Sequence, residues 1–491
     1  MTTGLAHRAG GALLWRGLAM SGENIIFLVR LVILARLLVP EDFGLVAIGL
    51  VALAIAMSLT EFGIVAALIQ QPAVDKRHLD TAWTINVIRG GVITIFLFMA
   101  APWIAQAFGD ARATDIIRAL ALTALFHSAA SIEVARLNRE FQFRGLAAIG
   151  LSAALTNTLV AVALASSHGV WALVWGALAG AMVHALASYL VAPYRPGLAL
   201  SDQATAKLVR FGRWIFLVSL LSIAGDAIVR WMIAAHLSVA ELGIYFMAAR
   251  LAFLPTQMLY GLVSQIAFPV YSHLQEDPAK AAVAFRGLLI SVAALLLPAS
   301  MVFAWLAPEI VEHLLGDHWQ GTAGVMQLLI LSGIVGLLGA GMIPVLKGIG
   351  RPSAFAAMEA TQVAVFVLVG WSLIGAFGLV GAGVALVSGV FASQFLAVYY
   401  ARKVFVRPCA GLAAPMATII AASLLATSVA AATVAALSGL VGLIISVVLA
   451  ALTAAIVIQW TDRVFGLGIV RTLIRPFPRL RVWLETIGVT P

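Results

Sequence analysis

The chain alternates long apolar stretches with short polar ones, and the apolar stretches set the architecture. They exceed the ~18 residues at which a helix can cross a hydrocarbon core about 30 Å thick. Fourteen such segments can be drawn, over residues 11–38, 42–70, 81–108, 114–137, 143–166, 169–192, 208–237, 239–271, 281–306, 322–347, 352–376, 377–404, 411–436 and 438–460. Two of the divisions rest on Gly-rich turns, Gly375–Gly378 and Ser438–Gly442, each splitting a stretch too long for one span. A chain in lipid must pair its backbone polar groups internally, so runs of this kind predict helices. The period-two alternation of a membrane β-barrel is absent. The pattern predicts an all-α membrane protein of 14 transmembrane helices.

Composition removes the soluble alternative. Charged residues make up 10% of the chain, against about 25% in soluble domains, too few to clothe a core of this size. The net charge of +9 suggests nucleic acid until the positions are read. With a cytoplasmic N-terminus, the terminal region and even-numbered loops hold Arg8, Arg16, Lys76, Arg77, Arg136, Arg139, Arg144, Arg195, Lys207, Arg210, Arg213, Lys280, Arg286, Lys347, Arg351, Arg402, Lys403 and Arg407. The odd loops hold Arg36, Arg112 and Arg118 and lean acidic, with Glu41, Asp42, Asp110, Asp115, Glu241, Glu309, Glu312 and Asp317. This is the positive-inside asymmetry. It predicts both termini in the cytoplasm and no nucleic-acid partner. The segment 461–491, with Arg463, Arg471, Arg475, Arg479, Arg481 and Trp483 among apolar residues, reads as a basic interfacial tail on the anionic leaflet. The single cysteine, Cys409, excludes an intramolecular disulfide. The first apolar run is too long for a signal-peptide core and lacks a cleavage site, so it reads as the first membrane helix.

An internal repeat appears at a spacing of 200 residues. Arg30, Ala35, Leu37, Val39 and Glu41 match Arg230, Ala235, Leu237, Val239 and Glu241, and Gly44 meets Gly243 after a one-residue gap. Each copy ends the first helix of its half and turns into the second. The halves therefore read as parallel repeats related by a pseudo-two-fold axis near the membrane normal. The predicted organisation is a lobe over 1–192, a cytoplasmic linker over 193–207, a second lobe over 208–404, two additional helices over 405–460 and the tail.

Ionisable groups inside spans are costly and mark cavities or partners. Arg30, Arg89, Arg230 and Arg250 fall within spans, as do Glu23 and Asp226. Glu23 and Arg30 are seven residues apart on one helix face, and Asp226 and Arg230 are four apart, below Ser219 and Ser222. Both couples are open to two readings, as ion pairs fastening helices or as parts of a cavity. Arg89 and Arg250 have no acidic neighbour on their own helices, which favours a cationic cavity. Guanidinium groups hold phosphate oxygens in bidentate pairs and stay charged at any relevant pH, so such a cavity suits a polyanionic head group. Glu61 and Glu359 are candidate proton or sodium coupling sites. No cofactor, metal site or catalytic constellation is expected. Glu309–His318 lacks the His-Glu-x-x-His spacing of a zinc site, and His127 and His184 read as packed polar residues rather than a relay.

Ala35-Arg-Leu-Leu-Val-Pro-Glu-Asp-Phe-Gly-Leu45 resembles the signature turn of Wzx-type polysaccharide transporters, flippases of the multidrug/oligosaccharidyl-lipid/polysaccharide exporter superfamily. Glu61–Gln70, Thr81–Asn86, Gly212-Arg-Trp and Gly316-Asp-His-Trp-Gln look like the same family, and the resemblance fades after about Arg407. It implies two six-helix lobes around a central cavity, plus two extra helices, and a bacterial inner-membrane flippase rather than an enzyme. The cargo it implies is a polyprenyl-diphosphate-linked oligosaccharide, moved from the cytoplasmic to the periplasmic leaflet by alternating access. It further implies membrane lipids around the chain, a polysaccharide polymerase and export machinery as partners, and Arg30, Arg89, Arg230 and Arg250 as the cavity arginines. A lipid II flippase and a cation-coupled multidrug exporter share the architecture. The second should have an acidic cavity, whereas this one is basic. A membrane polymerase or ligase needs a folded outer loop, for which Pro308–Thr322 is too short.

Overall fold

The computed structural model describes residues 2–60, 76–140, 142–198, 220–257, 278–348, 352–405, 411–437 and 439–465. Those residues are helical with short connections, and no strand occurs among them. Eight of the described helices are long and apolar enough to cross a membrane, so the chain is a multi-pass membrane protein. By packing it divides into two compact units, Met1–Phe246 and Met247–Pro491. The division falls later than the predicted 193–207 linker, part of which lies outside the described residues.

The first unit contains α1 (Thr2–Leu37), α2 (Pro40–Leu59), α3 (Lys76–Ala107), α4 (Ala113–Ser128), α5 (Val134–Arg139), α6 (Phe143–His168), α7 (Val170–Val191), α8 (220–236) and the start of α9 (Val239–Ala252). The α1–α2 turn is made by Leu38 and Val39. Pro40 opens α2, where its missing N–H costs nothing, and the Asp42 carboxylate accepts the Val39 N–H at 3.3 Å. The α8–α9 turn is built alike, with the Ser238 hydroxyl accepting the Glu241 N–H at 3.2 Å. The two turns pack on each other. A Cβ on Gly44 would fall on the carbonyl oxygen of Val239, and one on Gly243 on that of Pro40. The Trp231 indole also donates to the Ala107 carbonyl at the end of α3, at 3.1 Å. These contacts group α8 and the α9 start with α1–α7.

Elsewhere in this unit small residues set the helix spacing, as expected where lipid supplies no hydrophobic drive. Gly176 and Gly180 of α7 lie against Asn157 of α6, and Gly22 of α1 against Leu151 of α6. Val46, Ile116, Leu120, Val174 and Leu178 close the space between α2, α4 and α7.

The predicted span 114–137 is corrected. α4 stops at Ser128, and residues 129–133 leave the helix before α5. Their polar groups are satisfied from α7 instead. The Ser188 hydroxyl accepts the Ser131 N–H (2.8 Å), the Tyr189 hydroxyl donates to the Ala129 carbonyl (2.8 Å), and Ser131 donates to the Ala192 carbonyl (2.8 Å).

The second unit holds the rest of α9, then α10 (Pro278–Trp305), α11 (Ala307–Ile310), α12 (Thr322–Val335), α13 (Leu337–Gly348), α14 (Pro352–Val404), α15 (Ala413–Ala436) and α16 (Gly439–Phe465). The predicted span 322–347 is interrupted at Gly336, and the Gln394 side chain accepts the Gly339 N–H in the first turn of α13 at 2.8 Å. Segment α14 reverses at Gly378, whose φ of +59° and ψ of −138° only glycine adopts readily. Gly381 then packs on the Leu373 carbonyl. Helices α15 and α16 are joined by an equally short turn, with Gly439 at φ +84°.

Candidate functional site

The ionisable residues at membrane depth define the candidate site. Glu23 and Arg30 are both half-buried on α1. The Glu23 carboxylate lies directly against Gly150 of α6, where only a hydrogen leaves room for it. The Arg30 guanidinium carbon sits 5.2 Å from the centre of the Phe27 ring one turn away, within cation–π range. Arg89 is half-buried on α3, beside Gly90, which packs on Ser128 of α4. Arg250 on α9 and Glu359 on α14 are half-buried. Glu61 lies outside the described residues.

Asp226 and Arg230 are joined directly. Arg230 Nη2 is 2.8 Å from Asp226 Oδ2, one turn apart on α8. The pair is asymmetric: the Asp226 side chain is 51% exposed and that of Arg230 15%. The guanidinium is thus the deeper group, 5.9 Å from the Phe246 ring centre, and its Nε is buried without a hydrogen-bond partner. The pair lies within a single helix, so it fastens no second helix, and both readings of the couple stay open. Its accessible carboxylate leaves one edge of the guanidinium on the protein side. Removing Asp226 leaves the more buried guanidinium without its carboxylate, whereas removing Arg230 leaves a carboxylate that remains half exposed.

Three arrangements have no counterpart in the sequence reading. Arg112, in the α3–α4 loop, binds Asp110 through Nε (3.1 Å) and Nη2 (2.6 Å) and reaches Glu41 of the signature turn with Nη2 at 2.5 Å. The Arg112 hydrogen bonds hold the Asp110 carboxyl below the usual carboxylate range. At the far end of α3, Asp80 accepts from the Tyr194 hydroxyl (2.6 Å) and the Gly197 N–H (3.1 Å). Burial, reinforced by the bond to Asp80, pushes the Tyr194 phenol well above its usual range. The rings of His127 on α4 and His184 on α7 stand 5.0 Å apart, edge to face. Each arrangement joins segments distant in sequence, Glu41 with Arg112, Asp80 with Tyr194, and His127 with His184.

Within the second unit a cleft of about 550 Å³ runs between α10 and α16. Pro255, Ala294, Pro298, Val302, Ala450 and Ala454 line it, and Gln459 is its polar residue. Such a surface accepts hydrocarbon and offers an anion nothing. Among the described residues no three His, Cys, Asp or Glu side chains converge as metal ligands.

A family described as "Polysaccharide biosynthesis protein" matches residues 33–324. The chain is 27% identical over 318 residues to the lipopolysaccharide biosynthesis protein WzxC of Escherichia coli (strain K12), covering 64% of each chain. That match spans just under two thirds of the relative's own length. The chain is 26% identical over 373 residues to the succinoglycan biosynthesis transport protein ExoT of Rhizobium meliloti (strain 1021), covering 75% of this chain and 72% of the relative. Among solved structures, the lipid II flippase MurJ in an inward closed conformation superposes with a TM-score of 0.70 at 13% identity, over 92% of this chain and 99% of that one. An inward-facing MATE-family multidrug resistance transporter gives 0.62 at 17% identity, over 78% and 94%. At these identities the two structures speak for the fold alone.

Proposed function

This chain belongs to the polysaccharide biosynthesis protein family, and from that premise we propose that it flips polyprenyl-diphosphate-linked oligosaccharide repeat units across a bacterial inner membrane. The observation that carries the reading is the set of half-buried arginines, Arg30, Arg89, Arg230 and Arg250, within apolar helices. A diphosphate crossing a low-dielectric region needs fixed cations that do not titrate, and guanidinium supplies them with bidentate geometry. The names of the relatives, which refer to lipopolysaccharide biosynthesis and succinoglycan transport, support the same cargo class and transport rather than catalysis.

The full topology belongs to this proposal. It has fourteen spans, two six-helix lobes with two further helices, and both termini in the cytoplasm. The reversals at Gly378 and Gly439 support the count. The near-reciprocal seating of Gly44 and Gly243 supports the pseudo-two-fold, because each repeat offers a glycine to the backbone of the other. In this topology the α1–α2 and α8–α9 turns lie on the periplasmic side, and their contact closes it. Arg30 in the first unit and Arg250 in the second are each candidate ligands for the cargo phosphates. Asp226 holds Arg230 until a phosphate displaces it. The apolar cleft between α10 and α16 takes part of the polyprenyl chain. Glu61 and Glu359 remain candidate positions for a coupling proton or sodium ion, and the emerging repeat units pass to a polysaccharide polymerase and export machinery.

The test is the sidedness of lipid-linked oligosaccharide in cells depleted of the protein. Precursor should accumulate on the cytoplasmic leaflet while the outer leaflet empties. Normal delivery to the outer leaflet in depleted cells would overturn the assignment.

A further inference from the structure

His127 and His184 are the two imidazoles that the structure draws together, and neither takes part in the site described above. Their rings are 5.0 Å apart and steeply inclined, at 63°. His184 Nδ1 is buried and has no hydrogen-bond partner among the described residues, an arrangement that native interiors seldom tolerate without a use. His127 is exposed. It opens onto space beside α4, and His184 lies behind it.

The surroundings are one-sided. Toward the α1–α2 turn, the α4–α7 interface is sealed by Val46, Ile116, Leu120, Val174 and Leu178. Toward the opposite end lies a polar chain in which the Trp83 indole donates to the Tyr189 hydroxyl at 3.0 Å, and that hydroxyl donates to the Ala129 carbonyl. The pair thus has an apolar cluster on one side, and the exposed ring of His127 is where a proton would enter.

The titratable groups on neighbouring elements leave the pair to itself. Helices α2, α3 and α7 pack on α4, and α2, α4 and α6 pack on α7. Helix α2 has no titratable residue after Asp42, and Glu41 and Asp42 lie at the turn. Helix α6 has Arg144 and His168 at its two ends. Helix α4 itself adds Asp115 and Arg118 near its start, and α7 adds Tyr189. Helix α3 brings Lys76, Arg77 and His78 at its start, Asp80 engaged by Tyr194 and Gly197, and Arg89 beside the Gly90–Ser128 crossing. Among these, Arg89 is the fixed cation at membrane depth, and no carboxylate on α2, α4, α6 or α7 lies between their ends.

We propose that His127 and His184 form a proton-binding site of the transport cycle, loaded from the cytoplasmic end while the periplasmic end is closed. Two like charges this close oppose each other, so the pair holds one proton, shared as a single macroscopic site. Loading is the transfer of a proton from water to a ring nitrogen lone pair, and unloading returns it to water once the apolar seal has opened. The proposal rests on the transport reading given above, and its test separates the two.

The test has two arms on the full chain. In the first, histidine ring nitrogens are followed by NMR against pH in lipid nanodiscs for the wild type, His127→Gln and His184→Gln. Removing one ring should displace the titration of the other by at least tenfold in proton affinity. Unchanged titration in both variants would overturn the proposal, and if one variant fails to fold, the other still decides. In the second arm, delivery of lipid-linked precursor to the outer leaflet is measured with and without an ionophore that collapses the pH gradient. Wild-type delivery should fall about tenfold on collapse, and the His184→Gln protein should deliver little and ignore the ionophore. Wild-type delivery indifferent to the gradient would also overturn the proposal. Absence of delivery beyond that of depleted cells would sink the flippase reading instead, and coupled titration in the first arm would still stand.

Discussion

On the transport reading proposed above, adding one methyl group at Gly44 should favour the state in which the α1–α2 and α8–α9 turns part. The added Cβ would fall on the Val239 carbonyl, so close that the two turns must separate by more than an ångström, and the obstacle is backbone rather than a flexible side-chain end. Overpacking of this kind costs ~1–3 kcal/mol. The cost arises only where the turns touch, so it acts on one state of the cycle and shifts the balance by roughly 5- to 150-fold. Gly243→Ala should do the same through the Pro40 carbonyl. The measurement is labelling by a membrane-impermeant maleimide of Leu242→Cys, a fully buried position, with Cys409 replaced by Ser. Gly44→Ala should raise the labelling rate about tenfold or more and reduce export. Gly91→Ala is the control, because its Cβ meets nothing within 4 Å. Equal labelling rates in Gly44→Ala and Gly91→Ala would refute the argument, as would unchanged export.

Arg30→Ala and Arg250→Ala, at wild-type expression, should each abolish polymer export, and unchanged export in both would remove the cationic-cavity mechanism. Asp226→Asn should retain export within a few-fold while Arg230→Gln loses at least tenfold. If the pair is only a fastener, the double variant will instead recover most of what each single change loses. Because Asp110 has a lowered pKa in the fold, its pairing with Arg112 contributes stability above the unfolded carboxylate value, about 3.9, and loses it as pH falls through the lower folded value. Melting curves of wild type and Arg112→Gln should therefore differ at pH 6 and above (about two units past that value) and converge in acid. Parallel curves across the whole range would contradict this.

Features fixed by local chemistry were legible in the sequence. The reversal near Gly378 and the turn before Gly442 were visible because a run too long for one span must break where glycine permits it. The Asp226–Arg230 pair follows from a four-residue helical spacing. The end of α4 was not legible, because Ser188 and Tyr189, some sixty residues away, decide where Ala129 and Ser131 find their hydrogen bonds. The same holds for His127 and His184, which apolar packing between α4 and α7 brings together. The repeat at Gly44 and Gly243 could be read as an alignment, but its role as a contact between the two copies required coordinates.

The seam between α6 and α7 bears on how the chain is made. One residue, Gly169, separates the two helices at a φ of +52°, so they form a tight helical hairpin that could enter the bilayer as a unit. Asn157 near the middle of α6 lies against Gly176 and Gly180 of α7. Until α7 has been synthesised, an inserted α6 would expose that amide to hydrocarbon. Insertion of α6 and α7 as a pair would spare the amide that exposure. A substitution that fills the Gly176 notch would be felt first as degradation of nascent chains, before any effect on transport could be measured.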